Sequence, residues 1–174
     1  VGVARLGTAQ ELALAARGLL DAARLLSARY HLVVTNGPYL ARGNHSAELK
    51  SFIDMNYRDA RADLATVFIE RCMGLCATNS HSAIVSPQTW WFLGSYSSFR
   101  KKLLSKNTIE TIVALGEDSW ESFGNRGPLA TLVIIKNQMT NIPSAYNYSD
   151  IAEQYEIGTI NKQDIIEKLS GKNQ

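Results

Sequence analysis

His31-Leu32-Val33-Val34-Thr35, followed at once by Asn36-Gly37-Pro38-Tyr39, is the stretch on which the fold turns. A short run rich in β-branched residues, without polar alternation, predicts a strand covered on both faces, as in a parallel sheet. It stops abruptly at Asn36, and polar, glycine-bearing sequence continues to about Asn44 as a loop. Upstream, residues 9–29 predict an alanine-rich helix. Its Leu12, Leu19 and Leu26 stand seven apart, but three turns do not make a coiled coil, so packing against the sheet is expected.

Downstream, apolar positions Leu64, Val67, Phe68, Cys72, Leu75 and Cys76 follow helical spacing from Asp63 to Cys76. Asp63 serves as cap or first-turn acid, and Glu70 and Arg71 face away. Ala83-Ile84-Val85 predicts a second short buried strand, closed by Ser86-Pro87. A helix follows from about Tyr96 to Lys106, with Tyr96, Phe99, Leu103 and Leu104 inward. Strands Ile109–Leu115 and Leu129–Lys136 are joined without a helix and should pair antiparallel. The loop between them, Gly116 to Pro128, carries Trp120 and Phe123. Beyond Asn137 the chain turns polar, and only Gln163 to Leu169 hints at a closing helix. Helix, strand, helix, strand, helix, strand, strand is the second half of an open α/β sheet ending in a hairpin. The division expected is an N-terminal helix over 1–30, a sheet-bearing unit over 31–137 and a polar tail over 138–174.

The 174 residues, 45% hydrophobic and 20% charged, suit one domain with a buried core and exclude wholesale disorder or fibrous repeats. No apolar run is long enough to span a bilayer. A formal charge of +2 is too mild to announce a polyanion partner by its field alone. Cys72 and Cys76 sit four apart without further ligands at zinc-site spacing. They are expected to be buried thiols in a reducing compartment, and no metal is expected. His31, His45 and His81 are scattered, and His45 is expected on a solvent-exposed loop. No signal peptide is visible, so the location expected is cytoplasmic. The chain opens on Val1 rather than Met and reads like the middle of a longer protein.

In open α/β sheets, ligands bind outside the carboxyl ends of the strands. Asn36-Gly37-Pro38-Tyr39 occupies such an end, and its parts suit a flat group bearing an exocyclic amine. The Asn36 side-chain oxygen and the Gly37 carbonyl can each accept one amino hydrogen. Pro38 fixes the local backbone and offers no competing donor. Tyr39 offers an aromatic face for stacking, worth about 1–3 kcal/mol per base. Two acceptors on the amine draw its lone pair out of conjugation and make the nitrogen a better nucleophile. An ordinary turn is the competing reading, since all four residue types are common in turns.

Val33-Val34-Thr35-Asn36-Gly37-Pro38-Tyr39 resembles the strand and Asn-Pro-Pro-Tyr loop of amino-methylating DNA methyltransferases. Asp63 to Cys72 is similar to the helix after that loop, and Ile84-Val85-Ser86-Pro87-Gln88-Thr89-Trp90 to the next strand and its ending. Phe99-Arg100-Lys101-Lys102-Leu103-Leu104 and the stretch from Gly116 through Phe123 to Ile135 resemble the following helix and the final hairpin. The resemblance, in order and spacing from about residue 20 to 137, is to the large adenine-specific methyltransferases of BREX phage-defence systems (PglX-like), akin to the Eco57I class.

That resemblance implies a Rossmann-like class I methyltransferase sheet of which residues 31–137 are the C-terminal, catalytic half. It implies that Asn36 and the Gly37 carbonyl grip the 6-amino group of adenine, with Pro38 shaping the loop and Tyr39 stacking on the base. Asn36 would also face the cofactor, S-adenosylmethionine. Phe123 is the candidate for the second aromatic wall, with Trp120 as the alternative, and packing within the hairpin is the competing role for Phe123. The partner implied is double-stranded DNA with its target adenine flipped out. Methyl transfer would be direct, without a covalent enzyme intermediate, which leaves Cys72 and Cys76 structural.

Two departures stand out. The family has proline where Gly37 stands; glycine still supplies the carbonyl but carries about 0.4–1 kcal/mol more unfolded-state entropy to lose. The Gly-x-Gly turn that grips the cofactor in these enzymes occurs nowhere in this chain. The resemblance therefore implies a missing N-terminal half and a missing target-recognition domain, and an isolated chain that neither binds the methyl donor well nor methylates DNA. A folded remnant that binds only nucleic acid or a partner is the alternative function. The same loop also serves enzymes that methylate a glutamine amide or an RNA amine. Arg100, Lys101, Lys102 and Lys106 either track phosphates or form the wet face of a helix. Trp90 and Trp91 either line a nucleotide channel or, as expected, dock the helix to the core.

Overall fold

The computed structural model of the chain describes residues 2–115, 128–138 and 147–150. Trp120, Phe123 and the 163–169 segment lie outside the described residues. Helix α1 (Gly2–Ser27) leads into strand β1 (Tyr30–Asn36). Helices α2 (Ala47–Asn56) and α3 (Leu64–Leu75) follow, and α3 turns directly into β2 (Cys76–Pro87). The short α4 (Thr89–Phe92) and α5 (Ser97–Leu104) precede β3 (Thr108–Leu115), β4 (Ala130–Lys136) and β5 (Asn147–Asp150).

The sheet order is β1-β2-β4-β3-β5. β1 and β2 are parallel, whereas β4 runs antiparallel to both β2 and β3, as expected for a pair joined without a crossover helix. β4 does more than close a hairpin. It inserts between β2 and β3, pairing Pro87 with Ala130 on one side and Leu115 with Ala130 on the other. The carboxyl ends of β1, β2 and β3 therefore share one edge of the sheet.

β2 is far longer than the run Ala83-Ile84-Val85. An irregularity in its pairing with β1, between Tyr30 and Leu32, is accommodated by Asn79 at φ 64°, a conformation in which asparagine is enriched. Beyond it, Ser80, Ser82, Ile84 and Ser86 alternate inward. These small polar inward side chains lack the β-branched character that marks a buried strand in sequence. Two of them bond back to β1: Ser82 Oγ donates to Val33 O at 3.2 Å and Ser80 Oγ to Tyr30 O at 3.1 Å.

Helices α3 and α5 pack on one face of the sheet. Ile69, Cys72 and Met73 of α3 and Phe99 and Leu103 of α5 meet Ile84, Ile112, Val133 and Ile135. Cys72 and Cys76 are free, buried thiols, and burial raises both, Cys72 to about 11. Trp90 is fully buried, stacked on Trp91 with centroids 3.7 Å apart and edge-on to Phe99 at 5.5 Å. Its indole N–H donates to the buried Ser86 Oγ at 2.9 Å, and that of Trp91 to Thr131 Oγ1 at 3.2 Å. Both tryptophans thus dock α4 onto β2 and β4.

Four expectations are corrected. β1 is covered on one face only: Leu32 and Val34, on the other, are 59% and 69% exposed. α1 does not pack on the sheet, and Leu12, Leu19 and Leu26 are all more than 60% exposed. Periodicity marks a stripe but not the surface that covers it, and among the described residues nothing covers these. Leu104 is exposed, because the short α5 ends there and only Phe99 and Leu103 reach the core. The basic face of α5 is not uniformly wet either. Arg100 donates to Trp90 O at 2.6 Å and Leu93 O at 2.8 Å, and Lys102 is paired with Glu70 and Asp59.

Candidate functional site

Asn36 is the last residue of β1, paired with Val85, and is solvent-exposed at the shared carboxyl edge. Gly37 is buried, Pro38 exposed, and Tyr39 partly buried. The four predicted residues therefore form an open strand tip with an aromatic ring turned back toward the protein. Asn36 is exposed at that tip.

The loop is held from behind by the start of α3. Asp63 caps that helix, its Oδ1 accepting from Ala65 N at 2.8 Å. The same oxygen accepts from Leu40 N at 3.4 Å, one residue past Tyr39. Leu40 O accepts from Leu64 N at 2.9 Å and bonds the His45 Nε2 at 2.9 Å. An antiparallel bridge between Ala41 and Asp63 and a bond from Arg42 N to Ala62 O at 3.0 Å complete the strap. Burial, and secondarily the negative charge of Asp63, push the Tyr39 phenol up to about 12. Tyr39 is thus neutral at any physiological pH.

His45 is not the exposed loop residue expected: it is 5% exposed and ties Leu40 in place. The turn Arg42–Asn44 folds it under the loop, with His45 N bonded to Arg42 O at 3.2 Å. α2, which carries no strand-like or Gly-rich signal, begins at Ser46, whose side chain accepts from Leu49 N at 3.2 Å. Its Asp54 pairs with Arg42 at 2.7 Å, and that bond holds the Asp54 carboxyl below its usual range. A serine followed by Glu48 was the legible signal for this helix start.

At the same edge, Gln88 N donates to Leu129 O at 2.9 Å and joins the end of β2 to the start of β4. A cavity of about 230 Å³ lies at the opposite edge, lined by Met73, Phe99, Lys102 and Asn137 among others, away from the strand tips. No group of three or more His, Cys, Asp or Glu suited to a metal forms among the described residues. No described helix is long and apolar enough to cross a membrane.

An open β1 tip bearing an amide and a peptide oxygen, next to a neutral aromatic ring, can hold a planar amine between acceptors. Known proteins share both the sequence and the fold around it. The family profile of the Eco57I restriction-modification methylase matches residues 12–120. The chain is 31% identical over 118 residues to the adenine-specific methyltransferase BrxX of Escherichia coli O9:H4, which is 68% of this chain and 10% of that protein. It is 30% identical over 122 residues to the adenine-specific methyltransferase PglX of Lacticaseibacillus casei, 70% of this chain and 10% of that protein. The chain thus spans about a tenth of the length of these curated relatives. The fold matches that of a Listeria monocytogenes protein described as a class I S-adenosylmethionine-dependent methyltransferase. The TM-score is 0.59 at 13% identity, over 83% of this chain and 42% of that one.

Proposed function

This chain belongs to the Eco57I restriction-modification methylase family, and from that premise we propose that it is the catalytic portion of an adenine-specific DNA methyltransferase of a phage-defence or restriction-modification system. The observation that carries this reading is Asn36, exposed at the carboxyl edge of a class I sheet and followed by Gly37-Pro38-Tyr39. In this reading the Asn36 side-chain oxygen and the Gly37 carbonyl accept the two hydrogens of the adenine 6-amino group. Tyr39 stacks on the base, and Phe123 or Trp120 supplies the facing wall. The adenine must leave the duplex to reach this tip.

S-adenosylmethionine, when bound, supplies the methyl group. The amine end of the site fits that chemistry: two acceptors sharpen the nitrogen lone pair, and the neutral Tyr39 adds no competing charge. The sequence contains no Gly-x-Gly turn, the element that grips the adenosine end in these enzymes. Residues 31–137 would therefore be the catalytic half, completed by an N-terminal half that grips the cofactor and by a target-recognition domain. The outer edge of β1, the exposed Leu32 and Val34 beside it and the leucines of α1 support such a completion, because among the described residues each is apolar or hydrogen-bonding surface left without cover.

The test is methyl transfer from a labelled donor to duplex DNA by the complete enzyme. Asn36→Ala is expected to lower the rate at least about a hundredfold, because it removes an acceptor aimed at the reacting nitrogen. Full rate in that variant refutes the assignment.

A further inference from the structure

Phe68 departs from the pattern of its helix. Ala65, Thr66, Ile69, Cys72 and Met73 point into the core, whereas Phe68 is 37% exposed and turned toward the loop after β1. The root of its side chain lies against Gly37. A Cβ built on Gly37 would stand 3.3 Å from Phe68 Cβ, 3.4 Å from Cγ and 3.8 Å from Cδ1. Gly37 is itself buried.

We propose that Phe68 is a positioning residue for the reaction: packed on Gly37, it fills the space of a side chain at position 37 and holds the Asn36–Gly37 peptides still. The inference rests on the reading of this loop as the amine-binding element. Glycine has the widest backbone freedom of any residue, and the Gly37 carbonyl turns on those dihedrals. A proline would restrict them covalently. Here an aromatic side chain does so by contact from outside. The closest atom is the Phe68 Cβ, fixed by the helix backbone rather than by a rotatable ring. α3 in turn cannot slide, since Asp63 caps it and Ile69 and Cys72 are sunk in the core. Positions 37 and 68 therefore form a coupled pair, in which any bulk added at one calls for space at the other.

The test compares the parent, Phe68→Ala, Gly37→Pro and the double variant in the complete enzyme, with Phe68→Leu as the conservative replacement. Each is followed by methyl-transfer rate, by KM for the donor and by its midpoint in urea. Phe68→Ala and Gly37→Pro are each expected to lower kcat about tenfold, with KM for the donor nearly unchanged, because small misplacements of a reacting group cost rate. The double variant recovers most of the loss in rate and in midpoint, and Phe68→Leu stays close to the parent. Additive midpoints overturn the packing claim, and coupled midpoints with unchanged kcat in the single variants overturn the positioning claim. Asn36→Ala is measured alongside. If it keeps full rate, the function proposed above fails, and the positioning role with it, whereas a coupled midpoint identifies that failure as one of function and not of packing.

Discussion

Asp63→Ala tests whether one carboxylate organises both the helix and the loop. Its Oδ1 accepts from Ala65 N at 2.8 Å, a good capping bond, and from Leu40 N at 3.4 Å, a marginal one. Loss of an N-cap costs about 0.5–2 kcal/mol. The negative charge at the helix N-terminus adds about 0.3–1 kcal/mol, partly the same interaction counted again. A loss of about 1–2 kcal/mol overall is therefore expected, which lowers Tm by about 2–8 °C in a chain of this size. Asp63→Asn keeps an oxygen in place and removes only the charge, so it should cost well under half as much. The assay is urea and thermal unfolding of the three proteins under one buffer condition. Equal losses for Ala and Asn would refute the hydrogen-bond account and leave charge as the sole contribution. A second readout follows from Tyr39, whose phenol is raised first by burial and second by Asp63. Asp63→Asn should lower that titration while leaving it above the ordinary tyrosine value. Because the chain has seven tyrosines, the measurement is a difference spectrum against Tyr39→Phe.

Stability should also depend on pH through Tyr39 itself. A phenol raised from 10 to about 12 in the folded state contributes its full stability below pH 10 and loses it as pH climbs from 10 through 12, so Tyr39→Phe should flatten unfolding curves over that window. Trp90→Phe should cost about 2–4 kcal/mol, from lost volume and from Ser86 Oγ losing its 2.9 Å donor. Adding Ser86→Ala to that variant should cost less than it does in the parent, and strict additivity in urea titrations would refute the bond's contribution.

Much of the site was legible from local chemistry. An apolar run cut off at Asn36 located a strand tip, and the helix from Asp63 appeared from its cap and spacing within a residue of its observed start. The antiparallel pairing of the last two main strands followed from the missing crossover. β2 was recognised only in part because its inward residues include Ser80, Ser82 and Ser86, whose burial depends on partners in β1, α4 and β4. His45 was misplaced for a similar reason: a polar residue in a polar loop carries no mark of burial until a distant carbonyl, Leu40 O, meets it.

Residues close in the chain thus specified by themselves that a strand ends in an amide, a carbonyl and an aromatic ring, since such features depend on side-chain type and spacing alone. Only the tertiary structure decided that β4 lies between β2 and β3, that Asp63 ties a helix cap to the loop, and that Phe68 leans on Gly37. Those are contacts between segments far apart in sequence, whose energies exist only once the sheet and helix bring them within a few ångströms. The same physics leaves the stripe of α1 and the outer face of β1 readable as apolar yet uncovered among the described residues, because a pattern records what must be buried and not what buries it.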